Sequence, residues 1–225
     1  MSENTKFHSG FITIVGRPNV GKSTLMNAMV GEKIAIVPSR PQTTRNRIMG
    51  VMTPPDWQIV FLDTPGIHTP RTKLGESMMQ SVKDAMDGMD GVLVLVDATQ
   101  VGEHDRAIVR DMAGKKVPKV LAINKIDLLP PEKLLGLIAS FADLGYDAII
   151  PISAKTGDGL DDLTKQLATH LPEGPKYFPD DMMTDQPERL ICAELIREKA
   201  LQHLRDEVPH GIGVEMMGME KMNDN

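Results

Sequence analysis

A chain of 225 residues, 41% hydrophobic and 25% charged, has room for one full globular domain and a smaller unit. Its net charge of −6 argues against binding nucleic acid through a general positive field, and its single cysteine excludes an intramolecular disulfide. The N-terminus has no signal-peptide pattern, and no apolar stretch approaches the roughly 20 residues of a spanning helix. We therefore expect a cytoplasmic protein, at most peripheral to a membrane.

Short apolar runs rich in Val and Ile alternate with amphipathic stretches, which is typical of a helix-covered parallel sheet. The strands expected in chain order are Phe11–Val15, Trp57–Leu62, Val92–Val96, Lys119–Ile123 and Ala148–Ile152. The helices expected between and after them are Ser23–Val30, Leu74–Met89, His104–Met112, Pro131–Leu144 and Leu160–Leu171.

One connection breaks this alternation. A further apolar run, Ile48–Met52, is separated from the run that begins at Trp57 only by Thr53–Asp56. A parallel crossover needs a dozen or more residues, so these two strands must form an antiparallel hairpin. The pattern therefore predicts an α/β fold with a mostly parallel six-stranded sheet, one antiparallel strand and flanking helices.

The composition of the sequence changes after residue 171. Residues 172–187 contain four prolines and four acidic residues, which indicates an irregular linker. Glu188–Val208 has the pattern of a long amphipathic helix, in which Cys192 reads as a small buried residue rather than a nucleophile, and Ile212–Met217 is a strand candidate. We expect three parts: an α/β domain over residues 1–171, a linker over 172–187 and a C-terminal unit over 188–225.

The segment GRPNVGKST follows the first expected strand directly and matches G-x-x-x-x-G-K-[ST], the phosphate-binding P-loop. Gly16 and Gly21 allow the backbone to curl so that its N–H groups face a phosphate chain. Lys22 would reach the β- and γ-phosphates, and the Ser23 hydroxyl would bind Mg²⁺. The phosphate-binding residues expected here are Gly16, Arg17, Pro18, Asn19, Val20, Gly21, Lys22, Ser23 and Thr24.

Ligands of such sheets bind beyond the carboxyl ends of the strands. Asp63, Thr64, Pro65 and Gly66 follow one strand: the aspartate is placed to hold Mg²⁺, and the Gly66 N–H to reach a γ-phosphate, although D-T-P-G alone is also an ordinary β-turn.

The segment Asn124–Asp127 follows a later strand end. An ionised Asp127 only accepts hydrogen bonds, so it would accept from the ring N–H and the exocyclic amino group of guanine, and adenine lacks that amino group. The stem of Lys125 would cover the base plane, and the backbone of Ser153–Lys155 would meet the base from its other side. The base-binding residues expected are Asn124, Lys125, Asp127, Ser153, Ala154 and Lys155. Together with the P-loop, in this order, they predict a site for GTP or GDP with Mg²⁺, and thus a P-loop GTPase fold with its GTPase domain over residues 1–171.

The segments GRPNVGKST, KIAIVPSRPQTTRNRI, DTPGIH, NKIDL and ISAKTG together resemble the Era family, bacterial GTPases of small-ribosomal-subunit assembly, over nearly the whole chain. The resemblance implies Mg²⁺-dependent hydrolysis of GTP, a role in 30S assembly and 16S rRNA maturation, and binding to 16S rRNA and the 30S subunit. It also implies a monomer in the cytoplasm with peripheral contact to the inner membrane. The resemblance makes Thr44, with Thr43 second, the Mg²⁺-sensing threonine of the first switch. The catalytic residues are then Lys22, Thr44 and Gly66, and the Mg²⁺ ligands Ser23, Thr44 and Asp63.

Turnover is expected to be slow. Ile67 stands where Ras-type GTPases carry a water-orienting glutamine, and an apolar side chain cannot orient water. His68 nearby is expected to be a solvated loop residue rather than a base. Asn19 matches relatives that recruit K⁺, so an ion or a partner would complete the site.

The C-terminus departs from the family pattern. Era proteins end in a KH module that clamps RNA with a GxxG loop, whereas the one G-x-x-G here, Gly88–Gly91, is acidic and precedes a strand. We therefore expect residues 188–225 to be an incomplete RNA-binding domain with impaired RNA binding. Two other functions stay open: a P-loop ATPase or nucleotide kinase, against which Asn124–Asp127 argues, and a binding switch with negligible turnover, which Ile67 favours.

Overall fold

The computed structural model describes residues 6–35, 48–63, 88–184, 186–203 and 213–218. The strands are β1 (His8–Val15), β2 (Ile48–Met52), β3 (Trp57–Asp63), β4 (Gly91–Asp97), β5 (Lys119–Asn124) and β6 (Ala148–Pro151). The helices are α1 (Lys22–Val30), α2 (Glu103–Ala113), α3 (Pro131–Ala139), α4 (Leu160–Ala168) and α5 (Glu188–His203), with short 3₁₀ turns at Ile126–Leu128 and Ala142–Leu144.

The six strands form one sheet in the order β2-β3-β1-β4-β5-β6. All neighbouring pairs are parallel except β2 and β3, which are antiparallel. The predicted fold class and hairpin are confirmed. The chain passes from β1 to β2 and β3 on one side of β1, and after β3 it crosses to β4 on the other side. The strand order thus reverses at β1, and the crevice for a ligand lies beyond its carboxyl end.

Helices cover both faces of the sheet. Leu25 of α1 and Leu163 of α4 pack in the core of one face, whereas Val109 of α2 and Phe141 pack in the core of the other. Alternate residues of β4 face opposite cores, and its whole length is buried. Because both faces are covered, the central strands read as continuous apolar runs rather than alternating ones.

The ends of two predicted helices are wrong. Pro131–Leu144 was expected as one helix, but α3 ends at Ala139 and a separate 3₁₀ turn follows. The Ser140 hydroxyl donates to the carbonyl of Leu137 at 2.8 Å, and such local bonds compete with the helical pattern. The helix expected to reach Leu171 ends at Ala168, after which the N–H groups of His170 and Leu171 donate to carbonyls three residues back rather than four.

Three expectations concern less regular parts of the chain. The helix expected over Glu188–Val208 is present to His203, and Cys192 within it is half-buried rather than buried. The strand expected over Ile212–Met217 is wrong for residues 213–217, which have no regular structure and no backbone partner among the described residues. Of the helix expected over residues 74–89, residues 74–87 lie outside the described part of the chain. Residues 88 and 89 are described and are not helical.

Residues 172–184, called the strap below, cross the sheet from β1 over β3 to β2. At one end the Ser9 N–H donates to the carbonyl of Pro172, and at the other the Val51 N–H donates to the carbonyl of Met183. Between them the ring of Tyr177 packs against Phe11, with centroids 5.0 Å apart. The strap is irregular, as the sequence indicates, but it is bound to the sheet along its length.

Helix α5 follows the strap and also contacts the residues that flank the sheet. Its Glu198, 5% exposed, forms an ion pair with Lys33 in the loop after α1, at 2.9 Å. Within the described parts of the chain, no helix has both the length and the apolar character to span a bilayer.

Candidate functional site

The loop Gly16–Gly21 joins β1 to α1 in a tight curl. A Cβ at position 16 would collide with the carbonyl oxygen of Leu95 in β4, and one at position 21 would collide with the side-chain amide of Asn124. Gly21 also has a φ of 105°, in the left-handed region that glycine tolerates. The two motif glycines are therefore required by close packing, and the curl ends at the N-terminus of α1, where unpaired N–H groups and the helix dipole favour a phosphate.

Lys22 lies back over this loop. Its side chain is buried, and its ammonium donates to the carbonyls of Gly16 at 3.0 Å and Arg17 at 2.9 Å. Ser23 and Thr24 are half-buried in the first turn of α1. The positive charge is thus held at the mouth of the phosphate loop by backbone oxygens that a phosphate oxygen could replace.

The P-loop is tied to α2 by an ion pair that the sequence did not indicate. The guanidinium of Arg17 donates to Asp105 at 2.7 Å, and the N–H of Gly102 donates to the same carboxylate oxygen at 2.9 Å. Asp105 is 1% exposed. Since a buried carboxylate needs such partners, the contact fixes the start of α2 against the loop.

Asn124, at the end of β5, joins three of the predicted segments. Its amide donates to the carbonyl of Val20 at 2.8 Å, and its amide oxygen accepts from the N–H of Ala154 at 2.9 Å. Asn124 is 2% exposed. The P-loop, the end of β5 and the loop after β6 therefore meet at one buried side chain.

Lys125 has a φ of 69°, which turns the chain sharply after β5. Its ammonium donates to the carbonyl of Asn19 at 3.0 Å and to the carboxylate of Asp97 at 2.6 Å. The other Asp97 oxygen accepts from the N–H and the hydroxyl of Thr99, at 2.9 and 2.7 Å. Burial by itself raises the pKa of Asp97, but hydrogen bonds from Lys125 and Thr99 outweigh it and hold the pKa below its ordinary value.

Asp127 projects from the rim of the site. Its carboxylate is exposed, and one of its oxygens accepts from the hydroxyl of the fully buried Ser153 at 2.8 Å. The same Ser153 oxygen accepts from the N–H of Thr156 at 3.2 Å. A buried hydroxyl thus orients an exposed carboxylate, and Lys155 beside it is exposed.

For the remaining predicted residues the structure gives a backbone position at Asp63 only. Asp63 ends β3 with its Cα opposite that of Ile14, close to where β1 enters the P-loop. The residues predicted from the switch segments lie outside the described residues; they are Thr43, Thr44, Thr64, Pro65, Gly66, Ile67 and His68.

Two charged groups at this edge escaped the sequence analysis, namely Asp97 and Asp105. Asp97 could have been found, because it ends an apolar strand in the same way as Asp63. A polar residue at a strand end is the pattern that identified Asp63 and Asn124. Asp105 has no such signal, since it is one of two acidic residues in the first turn of an amphipathic helix, where acidic residues are common.

Comparison with known proteins gives a consistent result. Residues 11–125 match the family described as "50S ribosome-binding GTPase". The chain is 54% identical to the GTPase Era of Alkaliphilus metalliredigens over 217 residues, which is 96% of this chain and 74% of that protein. It is 52% identical to the GTPase Era of Clostridioides difficile over 221 residues, 97% of this chain and 74% of that protein.

Solved structures agree with these relatives. A structure of Era in complex with MgGDPNP and nucleotides 1506–1542 of 16S ribosomal RNA superposes with a TM-score of 0.84 at 42% identity, covering 91% of this chain and 70% of that one. A variant of Aquifex aeolicus Era bound to GDP·AlF4⁻ gives 0.83 at 42% identity, covering 90% and 70%. These relatives are GTPases, and the chain belongs to the Era family.

Proposed function

We propose that this chain is a GTP-operated switch of small (30S) ribosomal subunit assembly and 16S rRNA maturation, binding guanine nucleotide at the carboxyl edge of its sheet. The observation that carries the proposal is the Asn124 side chain, which joins the P-loop, the end of β5 and the loop after β6 into one preformed site. GTP would lie across these three segments, with its phosphates at the P-loop and its base beside Asp127.

Base selection is assigned to Asp127. Its carboxylate is oriented by Ser153 and offers acceptors to the ring N–H and the amino group of guanine. Adenine would leave those acceptors unpaired, a mismatch that hydrogen-bonding sites reject by up to about 10⁴–10⁵-fold. Lys125 would lie along the base plane with its ammonium on the Asn19 carbonyl.

Phosphate binding is assigned to the P-loop and Lys22. The lysine ammonium would exchange the carbonyls of Gly16 and Arg17 for phosphate oxygens, while the first N–H groups of α1 face the phosphate chain. The oxygen donors Ser23, Thr44 and Asp63 suit Mg²⁺, which prefers oxygen ligands. When bound, Mg²⁺ would neutralise charge that develops on the β- and γ-phosphate oxygens.

Hydrolysis is assigned to Lys22, Thr44 and Gly66, which would stabilise charge on the transferred phosphoryl group. The apolar Ile67 cannot orient the attacking water, so we expect slow intrinsic turnover. We propose that K⁺, recruited by the exposed Asn19, supplies further positive charge near the phosphates. A binding switch with negligible turnover is the second candidate, and Ile67 is the feature that favours it.

The domain organisation is also a proposal. Residues 1–171 form the nucleotide-binding unit, 172–187 the linker, and 188–225 part of a KH-type RNA-binding unit. The Era structure that contains a 16S rRNA segment supports 16S rRNA and the 30S subunit as the partners of this family of switches. We further propose a cytoplasmic monomer with peripheral contact to the inner membrane.

Nucleotide competition tests the proposal. A fluorescent GDP analogue bound to the protein with Mg²⁺ should be displaced by GTP and GDP, whereas ATP at a thousandfold excess should leave it bound. Lys22→Ala should abolish tight binding while thermal unfolding of the nucleotide-free protein stays cooperative, because the Lys22 ammonium bonds the loop carbonyls of Gly16 and Arg17 and not the apolar core. Displacement by ATP, or unaltered binding by Lys22→Ala, would contradict the assignment.

A further inference from the structure

Asp97 lies beside the proposed base site but belongs to none of its motifs. It ends β4 directly opposite Asn124 of β5, and the N–H of Ala98 donates to the carbonyl of Asn124 at 2.8 Å. This register brings the Asp97 side chain next to the residue that follows Asn124 in the chain, which is Lys125.

The two oxygens of the Asp97 carboxylate have different partners. Oδ1 accepts from the backbone N–H and the hydroxyl of Thr99, which closes the turn after β4. Oδ2 accepts from the ammonium of Lys125 at 2.6 Å. Oδ1 therefore stabilises the turn, and Oδ2 is left to bind the lysine.

The lysine is held from two sides. Its ammonium lies between the Asp97 carboxylate and the carbonyl of Asn19 in the P-loop. A free lysine side chain has four rotatable bonds and loses much conformational freedom when it is fixed. A partner that already fixes it before the nucleotide arrives removes that cost from binding.

The charge of the pair matters as well. The Asp97 side chain is only 11% exposed, so an unpaired carboxylate there would be costly and would repel the phosphates of a nucleotide nearby. Lys125 neutralises it, and in return the carboxylate keeps the ammonium in place. The interaction is therefore a partly buried, charge-assisted hydrogen bond, and charge-assisted bonds are stronger than those between neutral groups.

From this geometry we infer that Asp97 is a positioning residue for nucleotide binding, which holds the Lys125 stem over the guanine base and its ammonium on the P-loop. The inference rests on the proposed function, because it takes Lys125 to cover the base. Asp97 itself touches neither the base nor the phosphates; it acts through Lys125.

Asp97→Asn isolates this role. The amide oxygen can keep the bonds from Thr99, whereas the amide nitrogen would face the ammonium as a second donor. We expect the affinity for a fluorescent GDP analogue to fall by about tenfold. In a Lys125→Ala background the same change should alter affinity by less than about twofold, because the side chain through which Asp97 acts is gone.

Two further variants complete the test. Thr99 is exposed, and Thr99→Val removes the hydroxyl bond to Asp97 while leaving the backbone N–H bond in place. This change should weaken binding by about threefold only while Lys125 is present. Asp147→Asn is the matched control, because its carboxylate accepts from the N–H of Lys119 at the opposite end of β5. It should keep the affinity of the unaltered protein.

The outcomes separate the two proposals. If Lys125→Ala leaves affinity unchanged, the proposed base site is wrong and the inference falls with it. If Lys125→Ala weakens binding but Asp97→Asn does not, the inference alone is wrong. Equal losses from Asp97→Asn with and without Lys125 would also overturn it. If Asp97→Asn unfolds the nucleotide-free protein, the Thr99→Val pair decides by the same criterion.

Discussion

At the scale of single residues, the site is defined by side chains with fixed partners. Asn124 joins three loops, Ser153 orients Asp127, and Lys125 lies between Asp97 and Asn19. Each buried polar group among them has a hydrogen-bonding partner, which is what a buried polar network requires to be stable. Changes at such residues should therefore alter binding in ways that follow from donors and acceptors.

Asp127→Asn should change the preferred base. The amide oxygen can keep accepting from the Ser153 hydroxyl, which leaves the amide nitrogen to face the base as a donor. A donor there cannot pair with the amino group of guanine but suits the C2 carbonyl of xanthine. We expect at least about a hundredfold loss of GTP affinity and a gain of XTP affinity, measured by competition titration. Retention of GTP affinity would show that Asp127 does not bind the base.

Asn19 should make turnover sensitive to potassium. Replacing Na⁺ by K⁺ at fixed ionic strength should raise the single-turnover rate of GTP hydrolysis by about tenfold or more, since added charge near the phosphates stabilises the transition state. Asn19→Gly removes the side chain but suits the φ of 65° at this position, and it should abolish the difference. Equal rates in both salts for the unaltered protein would exclude K⁺ as the activating ion.

At the scale of elements, the strap connects the sheet to α5 through hydrogen bonds rather than a second core. Gln58 of β3, fully buried, is its main anchor. The Gln58 amide oxygen accepts from the N–H groups of Tyr177 and Phe178, and its nitrogen donates to the carbonyl of Phe178 and the hydroxyl of Thr53. One glutamine thus holds an irregular segment against β3.

Gln58→Leu should destabilise the protein. The change removes the acceptor of the partly buried N–H groups of Tyr177 and Phe178 and the donor to the Phe178 carbonyl, and each lost hydrogen bond costs about 0.5–1.5 kcal/mol. We expect the free energy of unfolding in urea to fall by about 2–4 kcal/mol, with the nucleotide-free protein used throughout. The exposed Gln100→Leu is the control and should stay within about 0.5 kcal/mol. A small effect at Gln58 would mean that the strap is not held by this side chain.

At the scale of the whole molecule, charge and the position of the G-x-x-G segment bear on RNA. The chain carries a net charge of −6, so it has no general attraction for phosphate. Gly88–Gly91 leads directly into β4, where Gly91 pairs with Ile12 of β1. This segment therefore leads into a central strand of the sheet and is not available as an RNA clamp.

The 225-residue chain should bind guanine nucleotide normally but show no selective binding to ribosomal RNA. A fluorescent single-stranded fragment from the 3′ end of small-subunit rRNA, titrated with GTP at near-physiological salt, should give no saturable binding tighter than about micromolar. The Clostridioides difficile relative, of which this chain covers 74%, serves as the matched comparison. Tight, sequence-dependent binding by this chain would show that it recognises RNA through other residues.

The sequence by itself determined the fold class and the segments that make up the site. Apolar runs of strand length reveal strands because burial on both faces selects Val and Ile, and the four-residue link Thr53–Asp56 leaves room only for a hairpin. The motifs could be located because each follows a strand directly, and parallel strands end at one edge. These signals are local, so a linear pattern retains them.

Only the tertiary structure decided which side chains meet. Arg17 and Asp105, Asp97 and Lys125, and Gln58 and Phe178 are far apart in the chain and are joined by strand register and loop path. A hydrogen bond depends on distances of a few tenths of an ångström, and composition and periodicity carry no information at that scale.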